Sequence, residues 1–338
     1  MTALKTQQLW FEAPGQVAVR SVPLVMPGEG QVRVKTHCSA LSAGTEMLVY
    51  RGQVPQTLAL DETLDGMQHS TQYPLQYGYA AVGEVDALGS GVDPVWEGRR
   101  VFVFAPHASH VLARPDHLIP LPDDIAQEDA VFLANMETAV SLVHDAQPLL
   151  GERVAVLGLG IVGQLVCALL SRFPLDTLLA FDHVPERRRV AQSLGVTSVL
   201  SPEASARGQA GDADLILELT GVPEALNLAI ELAGFASRII VGSWYGTKSA
   251  PVILGGAAHR NRLSIRTSQV STLAPALTGR WDKARRFDTA WDMLRRIRPS
   301  RLISQRVPLE EAATVYQTLD RAPGEILQAV FVYPSVSP

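Results

Sequence analysis

The stretch Val154–Gly163, VAVLGLGIVG, constrains this chain more than any other. The apolar residues Val154 to Leu157 read as a strand buried on both faces, and Gly158, Gly160 and Gly163 then follow the spacing G-x-G-x-x-G. The apolar run Gln164–Leu170 reads as the helix that follows the turn. In a strand–turn–helix of this kind the first glycine permits the tight turn, the second lets a pyrophosphate approach the backbone, and the third lets the helix pack close to the strand. The free N–H groups at the helix start face the phosphates. Gly158, Gly160, Ile161, Val162 and Gly163 are therefore the candidate phosphate cradle. A second apolar run, Thr177–Phe181, ends at Asp182, about 20 residues past the glycines, where an acidic side chain takes the ribose hydroxyls. An ordinary glycine turn in an α/β protein is the alternative. Strand, helix and acid together favour a dinucleotide.

With 338 residues the chain is long enough for two domains. Its net charge of -5, with no basic arm, argues against a nucleic-acid partner. The two cysteines, Cys38 and Cys167, form no C-x-x-C pair, so neither a disulfide framework nor a cysteine-rich structural zinc site is expected. The N-terminal MTALKTQQLWFEAPG has no apolar core of a signal peptide, and no apolar run reaches the length of a membrane span. The expected compartment is the cytoplasm.

Up to about Asp145 the chain reads as β-rich and punctuated by glycine, with strand candidates Gln31–Thr36, Val82–Leu88 and Arg100–Phe104. Ala126–Val143 is the first helical stretch. Strand candidates then recur at Arg153–Leu157, Thr177–Phe181, Leu215–Leu219, Arg238–Val241 and Leu263–Thr267. Helical candidates lie between them at Gly163–Arg172, Pro185–Leu194 and Pro223–Ala233. This alternation implies a parallel sheet with helices on both faces. Ser201–Asp212 reads as a surface loop. A basic helical segment follows Val270, then Leu302–Val307 and a final strand, Ile326–Tyr333.

The whole pattern resembles the medium-chain dehydrogenase/reductase superfamily. VRVKTHCSALSAGTE (Val32–Glu46) is similar to the strand and loop that begin that family's active site. YGYAAVGEV (Tyr77–Val85) is similar to its G-H-E-x-x-G-x-V segment, HLIPLPDDI (His117–Ile125) to the close of its N-terminal barrel, and NMETAVSLV (Asn135–Val143) to the helix entering its cofactor domain. The resemblance implies an α/β fold, a GroES-like β-barrel domain plus a Rossmann doubly wound parallel sheet. The barrel domain is expected over residues 1–145 with 271–338, and the NAD-binding domain over 146–270. It also implies a homodimer paired through the edge strand Leu263–Thr267.

The departures from the family pattern shape the expected chemistry. Ser42 stands where the first catalytic-zinc cysteine would be, Tyr79 replaces the histidine, Ala80 the glutamate of G-H-E, and Ala134 the third ligand. Serine, tyrosine and alanine do not supply the thiolate, imidazole or carboxylate donors that zinc requires. No metal is therefore expected. The S-x-G-T-E turn and the Gly-Tyr in place of Gly-His are locally similar to the bacteriochlorophyllide dehydrogenase branch, which oxidises a hydroxyethyl side chain.

Without zinc, a hydrogen-bond donor must polarise the reacting oxygen. Tyr79 is the first candidate, with packing in the vacated ligand position as its alternative role. Ser42 and Thr45 either relay a proton or cap the turn, and Glu46 orients it. Glu137 is either an acid/base or half of an ion pair. His107 and His110 read as solvated, with His110 a lesser proton-carrier candidate. Thr220, Gly221, Gly242 and Ser243 follow later strands, where the family places the nicotinamide side of the site. Trp244, Arg280 and Lys283 are candidate contacts for an anionic substrate, and a solvated basic face is the alternative. The expected activity is zinc-independent, NAD-dependent interconversion of a small-molecule alcohol and its carbonyl. The alternatives are an NADPH-using enoyl or quinone reductase and a catalytically weak nucleotide-binding protein.

Overall fold

A computed structural model of the chain describes residues 4–55, 57, 72–205 and 211–333. A hairpin of β1 (Lys5–Ala13) and β2 (Gln16–Pro23) comes first. Then follow β3 (Val32–Ala40), α1 (Ala43–Tyr50), β4 (Ala81–Leu88), β5 (Arg100–Val103), β6 (His110–Ala113) and β7 (Leu118–Pro120). The helices α2 (Gln127–Ala130) and α3 (Leu133–Ala146) lead into the alternating region. That region runs β8 (Arg153–Leu157), α4 (Ile161–Leu170), β9 (Thr177–Phe181), α5 (Pro185–Ser193), β10 (Ser198–Leu200), α6 (Pro202–Ser205), β11 (Ala213–Glu218), α7 (Ala225–Leu232), β12 (Ala233–Val241) and β13 (Ser264–Thr267). After it come α8 (Lys283–Ile297), β14 (Gln305–Pro308), α9 (Ala312–Arg321) and β15 (Ala329–Val332).

The chain divides into two compact units, residues 1–134 with 294–338 and residues 135–293. In the first, the described strands run in the order β14-β15-β3-β4-β5-β7, with β6 also paired to β3. Alternation along β3 sends Val32 and Val34 inward, where they meet Ala81, Val85, Val101, Val103 and Leu118. Burying each aliphatic side chain of this size contributes about 1.5–3 kcal/mol. The late strand β15 returns to lie antiparallel on β3, in the register Val330↔Ala40 and Val332↔Cys38. The end of the described chain thus completes a sheet begun near its start, as the GroES-like expectation requires.

In the second unit the described strands run β10-β9-β8-β11-β12-β13, every neighbour parallel. β8 and β11 are nearly continuous apolar runs because both of their faces are covered. The register pairs Leu157 with Phe181 and Glu218, and Glu218 with Val241. The carboxyl ends of four adjacent strands therefore lie side by side. Gly158, Asp182, Leu219 and Gly242, the residues next along the chain, share that edge. In open α/β sheets this is the edge where ligands bind. β13 is at one edge of this sheet among the described strands, as expected, and all four of its residues are exposed.

Residues 135–145 and 271–293 group with the parallel sheet. Arg286 on α8 reaches Glu137 on α3 through Nη2 at 2.6 Å and Nε at 3.1 Å, and also donates to the Val270 and Thr272 carbonyls. Ser268 donates to the Asp145 carboxylate at 2.5 Å, and Arg266 to the Asp145 carbonyl.

Several local expectations differ from the structure. The S-A-G-T-E segment is not a plain turn: Ser42 holds the N-cap position of α1, with no side-chain capping bond, and residues Glu46 to Tyr50 of that helix are all buried. Ala126–Val143 is two helices rather than one. Leu302–Val307 splits into a 3-10 turn, Pro299–Leu302, and β14. Within the expected loop Ser201–Asp212, Pro202–Ser205 is a helical turn, and residues 206–210 lie outside the described residues. Among the described residues no helix is long and apolar enough to cross a membrane.

The buried Glu137–Arg286 pair makes a stability prediction. Side-chain exposure is 5% for Glu137 and 1% for Arg286. Removing one partner leaves the other charge buried and uncompensated. Glu137→Ala is expected to cost about 3–5 kcal/mol in urea unfolding, and the double change Glu137→Leu with Arg286→Met to recover most of that loss.

Candidate active site

The glycine turn is built as its spacing requires. Gly158 leaves β8 with φ +90°, a left-handed conformation open to glycine at little cost. Its N–H donates to the Phe181 carbonyl at 2.8 Å. A Cβ on Gly163 would lie 2.0 Å from the Gly158 carbonyl oxygen, so the first turn of α4 can approach β8 this closely only with glycine there. A Cβ on Gly160 would meet no atom within 4 Å. The space beside Gly160 is open at the helix N-terminus, where Ile161 is buried and Val162 half-buried. A phosphate group fits these residues: a backbone cradle, a helix start and no side chain in the way.

Asp182 sits at the end of β9, beside the turn. One carboxylate oxygen accepts from Leu159 N and the other from Val184 N, both at 2.8 Å. A carboxylate offers about four acceptor positions, so two remain for ribose hydroxyls. The three arginines that follow all have local partners. Arg187 lies 3.9 Å from the Asp182 carboxylate, Arg188 donates to the Asp182 and His183 carbonyls, and Arg189 pairs with Glu186.

At the ends of β11 and β12 the structure brings together Thr220, Gly221, Gly242 and Ser243. Gly221 N donates to Ser243 Oγ at 2.8 Å. A Cβ on Gly242 would collide with Leu142 and Leu219 at 2.5 and 2.6 Å. Glu218 anchors this region, and sequence reading missed it. It is fully buried. One carboxylate oxygen accepts from Thr220 N at 2.7 Å and from Thr220 Oγ1, and the other from the Tyr245 hydroxyl at 2.6 Å. Burial first, then the bond to Glu218, pushes the Tyr245 phenol above its ordinary range. A lone acid ending the apolar run LILE was the available signal. Trp244 is half-buried beside this cluster in sequence. Arg280 is exposed and Lys283 half-buried at the start of α8. Between them Trp281 packs on the His144 ring at 4.3 Å and under the Arg285 guanidinium at 4.1 Å.

In the first unit Tyr79, Ser42 and Thr45 come together. The Tyr79 hydroxyl donates to Ser42 Oγ and lies 3.5 Å from Thr45 Oγ1. Ser42 is buried and Tyr79 half-buried. Zinc does not fit this donor set, since two neutral hydroxyls supply neither thiolate nor imidazole. Ala134, at the third position, is buried and carries no donor. Among the described residues no three His, Cys, Asp or Glu side chains are grouped so as to hold a metal ion. Glu137 takes the second of its two expected roles, half of an ion pair.

His107 is a correction. It was expected to be solvated and is fully buried, bonded through both ring nitrogens to Ser39 and Glu46. Its burial is tertiary in origin: Leu9 N on β1 donates to the His107 carbonyl at 2.9 Å, laying β1 alongside it. His110 is half-buried, its Nδ1 3.2 Å from Ser109 Oγ, and burial lowers its pKa below the ordinary imidazole value.

No family model matches the chain. It is 25% identical over 286 residues to D-guloside 3-dehydrogenase of Escherichia coli (strain K12), covering 78% of this chain and 81% of the relative. It is 24% identical over 295 residues to galactitol 1-phosphate 5-dehydrogenase of the same strain, covering 75% and 84%. It is 26% identical over 260 residues to 2-desacetyl-2-hydroxyethyl bacteriochlorophyllide A dehydrogenase of Cereibacter sphaeroides, covering 72% and 75%. The chain is related to the zinc-type alcohol dehydrogenase-like members of the medium-chain dehydrogenase/reductase superfamily. Solved structures agree on the fold. The RspB alcohol dehydrogenase of E. coli CFT073, complexed with NADH, superposes with TM-score 0.77 at 19% identity over 97% of this chain and 99% of that one. A dehydrogenase of Sinorhizobium meliloti 1021 bound to NADP gives TM-score 0.77 at 18% identity over 98% and 100%.

The two inner glycines of the turn should separate packing from ligand access. Gly163→Ala is expected to destabilise the protein by about 1–3 kcal/mol in urea unfolding, because its Cβ overlaps backbone. Gly160→Ala should leave the unfolding free energy within about 0.5 kcal/mol of the parent, yet weaken NADH binding measured by fluorescence titration, because its methyl group occupies the open side of the cradle.

Proposed function

We propose that this protein is a zinc-independent, NAD-dependent oxidoreductase that interconverts an alcohol and a carbonyl. The observation that carries the reading is the Tyr79–Ser42 hydroxyl pair, standing where the resemblance places metal ligands. The named relatives oxidise alcohol carbons of sugars, polyols or a hydroxyethyl group, which supports chemistry at CH–OH. The substrate of this chain would then be a small hydroxyl-bearing molecule.

Bound NAD supplies the hydride acceptor for oxidation, and NADH the donor for reduction. The protein has to hold the dinucleotide, orient the substrate oxygen and handle one proton. The backbone of Gly158–Gly163 would hold the pyrophosphate and Asp182 the adenosine ribose. The Tyr79–Ser42 pair has two O–H hydrogens. One is used between the two residues, leaving one to point at a substrate oxygen after rotation about either C–O bond. In reduction that hydrogen bond polarises the carbonyl, and its proton passes to the oxygen as hydride reaches carbon. Reduction leaves the pair one proton short, as a phenolate that takes a proton back from solvent, and in oxidation that phenolate form accepts the alcohol proton.

Cofactor choice rests on Asp182. Its carboxylate repels a 2′-phosphate and accepts from free ribose hydroxyls. With Arg188 on backbone carbonyls and Arg189 on Glu186, these neighbours are already engaged. NADH should therefore bind more tightly than NADPH in fluorescence titration. Asp182→Ala should weaken NADH binding about 10- to 100-fold, the worth of a charge-assisted hydrogen bond pair. Tighter binding of NADPH by the parent protein would overturn the assignment.

The hydroxyl pair is tested by Tyr79→Phe, which keeps the ring and deletes the O–H. Removing one preorganised donor typically costs about 10²–10³ in kcat. Turnover is measured with NAD⁺ and a panel of secondary alcohols that includes butane-2,3-diol and galactitol 1-phosphate, and with NADH and enones. The expected result is lost alcohol turnover with NADH binding intact, in protein that elemental analysis shows to lack stoichiometric zinc. Turnover within a few-fold of the parent would make Tyr79 a packing residue. Zinc at about one per chain, with activity lost on its removal, would overturn the metal-independent reading.

A further inference from the structure

Below the hydroxyl pair lies a polar network that the proposed chemistry does not use. Glu46 and His107 are both fully buried. Glu46 Oε1 accepts from Ser42 N at 2.7 Å. Glu46 Oε2 accepts from the Tyr316 hydroxyl and lies 3.1 Å from His107 Nε2. His107 Nδ1 lies 2.7 Å from Ser39 Oγ, which in turn lies 2.7 Å from the Tyr333 hydroxyl. Burial holds both the Tyr316 and the Tyr333 phenols above their ordinary range; Tyr316 donates to Glu46, and in the Ser39–Tyr333 contact either oxygen can be the donor. One assignment of hydrogens satisfies the whole network. Tyr333 donates to Ser39, Ser39 to His107 Nδ1, and His107 Nε2–H to Glu46, which also receives Tyr316 and the Ser42 N–H.

A second contact joins this network to Tyr79. Gly78 has φ +125°, and a Cβ on it would lie 2.8 Å from His107 Cδ2 and 2.9 Å from Nε2. The imidazole therefore packs directly against the backbone of the residue before Tyr79. Glu46 holds Ser42 by its backbone N–H, and His107 buttresses the segment that carries Tyr79. The two hydroxyl residues lie in different segments, one just before α1 and one just before β4, 37 positions apart in the chain, and this buried pair touches the backbone of both segments.

We propose that Glu46 and His107 are positioning residues whose buried pair sets the geometry of the Ser42–Tyr79 hydroxyls without touching substrate. The proposal rests on the reading that those hydroxyls serve the reacting oxygen. A displacement of about 1 Å at such a group can cost about 10²-fold in rate. Glu46→Gln keeps the side-chain size but places an NH₂ group against donors, so the network must either reverse the imidazole tautomer or release Ser42.

Two readouts need no substrate. In the unmodified protein, ¹⁵N-histidine NMR, with the His107 signal assigned by its loss in His107→Gln, should show a proton on Nε2. A bare Nε2 overturns the proposal even if no Glu46 variant folds. In protein carrying [¹³Cζ]tyrosine, Glu46→Gln should move the signal that Tyr79→Phe removes, and an unmoved signal counts against positioning.

The third readout is a double-mutant cycle on alcohol turnover with NAD⁺. Glu46→Gln should lower kcat about 10- to 100-fold in the parent and less than about 3-fold in the Tyr79→Phe background, with KM for NAD⁺ unchanged. Equal losses in both backgrounds would mean general structural damage and overturn the proposal. Parental turnover in Glu46→Gln, beside an inactive Tyr79→Phe, would overturn positioning and leave the catalytic reading standing. Parental turnover in Tyr79→Phe would remove the catalytic reading instead, and the two NMR readouts would then decide alone whether the pair positions Tyr79.

Discussion

A carboxylate taken out of water must be met by donors, and in this protein three such groups dictate how distant segments come together. Glu46, Glu137 and Glu218 are each at most 4% exposed. An uncompensated charge at that depth would cost several kcal/mol, so each has drawn donors from elsewhere in the chain. Glu46 is met by Ser42, His107 and Tyr316, Glu137 by Arg286, and Glu218 by Thr220 and Tyr245. In the first unit this draws α1 and α9 onto one point. In the second it pins α8 to α3 and organises the loop after β11.

The two candidate functional regions are built on opposite principles. The dinucleotide turn works by leaving side chains out. Gly163 allows an approach of helix to strand that any Cβ would block, and Gly160 leaves space beside a helix N-terminus. Its support is backbone geometry, with Asp182 bonded back to the turn at Leu159 N. The hydroxyl region works by filling. Tyr79 and Ser42 bring their hydroxyls together, and beneath them the Glu46–His107 pair closes a network of hydroxyls and imidazole. Hydrogen bonds in such a network are stronger than in water, and each is costly to leave unmade. Geometry there is consequently stiff.

Much of the fold was legible because its causes are local. After their first residues the runs Arg153–Leu157 and Thr177–Phe181 are apolar, as central parallel strands covered on both faces are, and both were read at their observed bounds. The glycine spacing and Asp182 were equally readable, since a turn and the acid one strand later are fixed by short-range geometry. Local signals could also pass unread. In α9, Ala312, Val315, Tyr316 and Leu319 follow helical spacing and all are buried, yet the segment was not singled out. In α1 the Ser-Ala-Gly start reads as a turn, and only burial of Glu46 to Tyr50 shows why a helix forms there.

The partners of buried polar groups were beyond reach of the sequence. His107 lies between Pro106 and Ala108, a setting that suits an exposed loop, and its bonding partners are 61 and 68 positions away. Glu137 offered two roles on its helix until Arg286, 149 positions later, was brought against it. Glu218 ends a strand like many others until Tyr245 folds back over it. The sequence by itself determined the strands Arg153–Leu157 and Thr177–Phe181 and the glycine turn between the first of them and its helix, because those depend on spacing and composition. Tertiary structure alone decided which acid faces which base and which hydroxyl faces which, because burial and pairing are set by long-range contacts that no local pattern encodes.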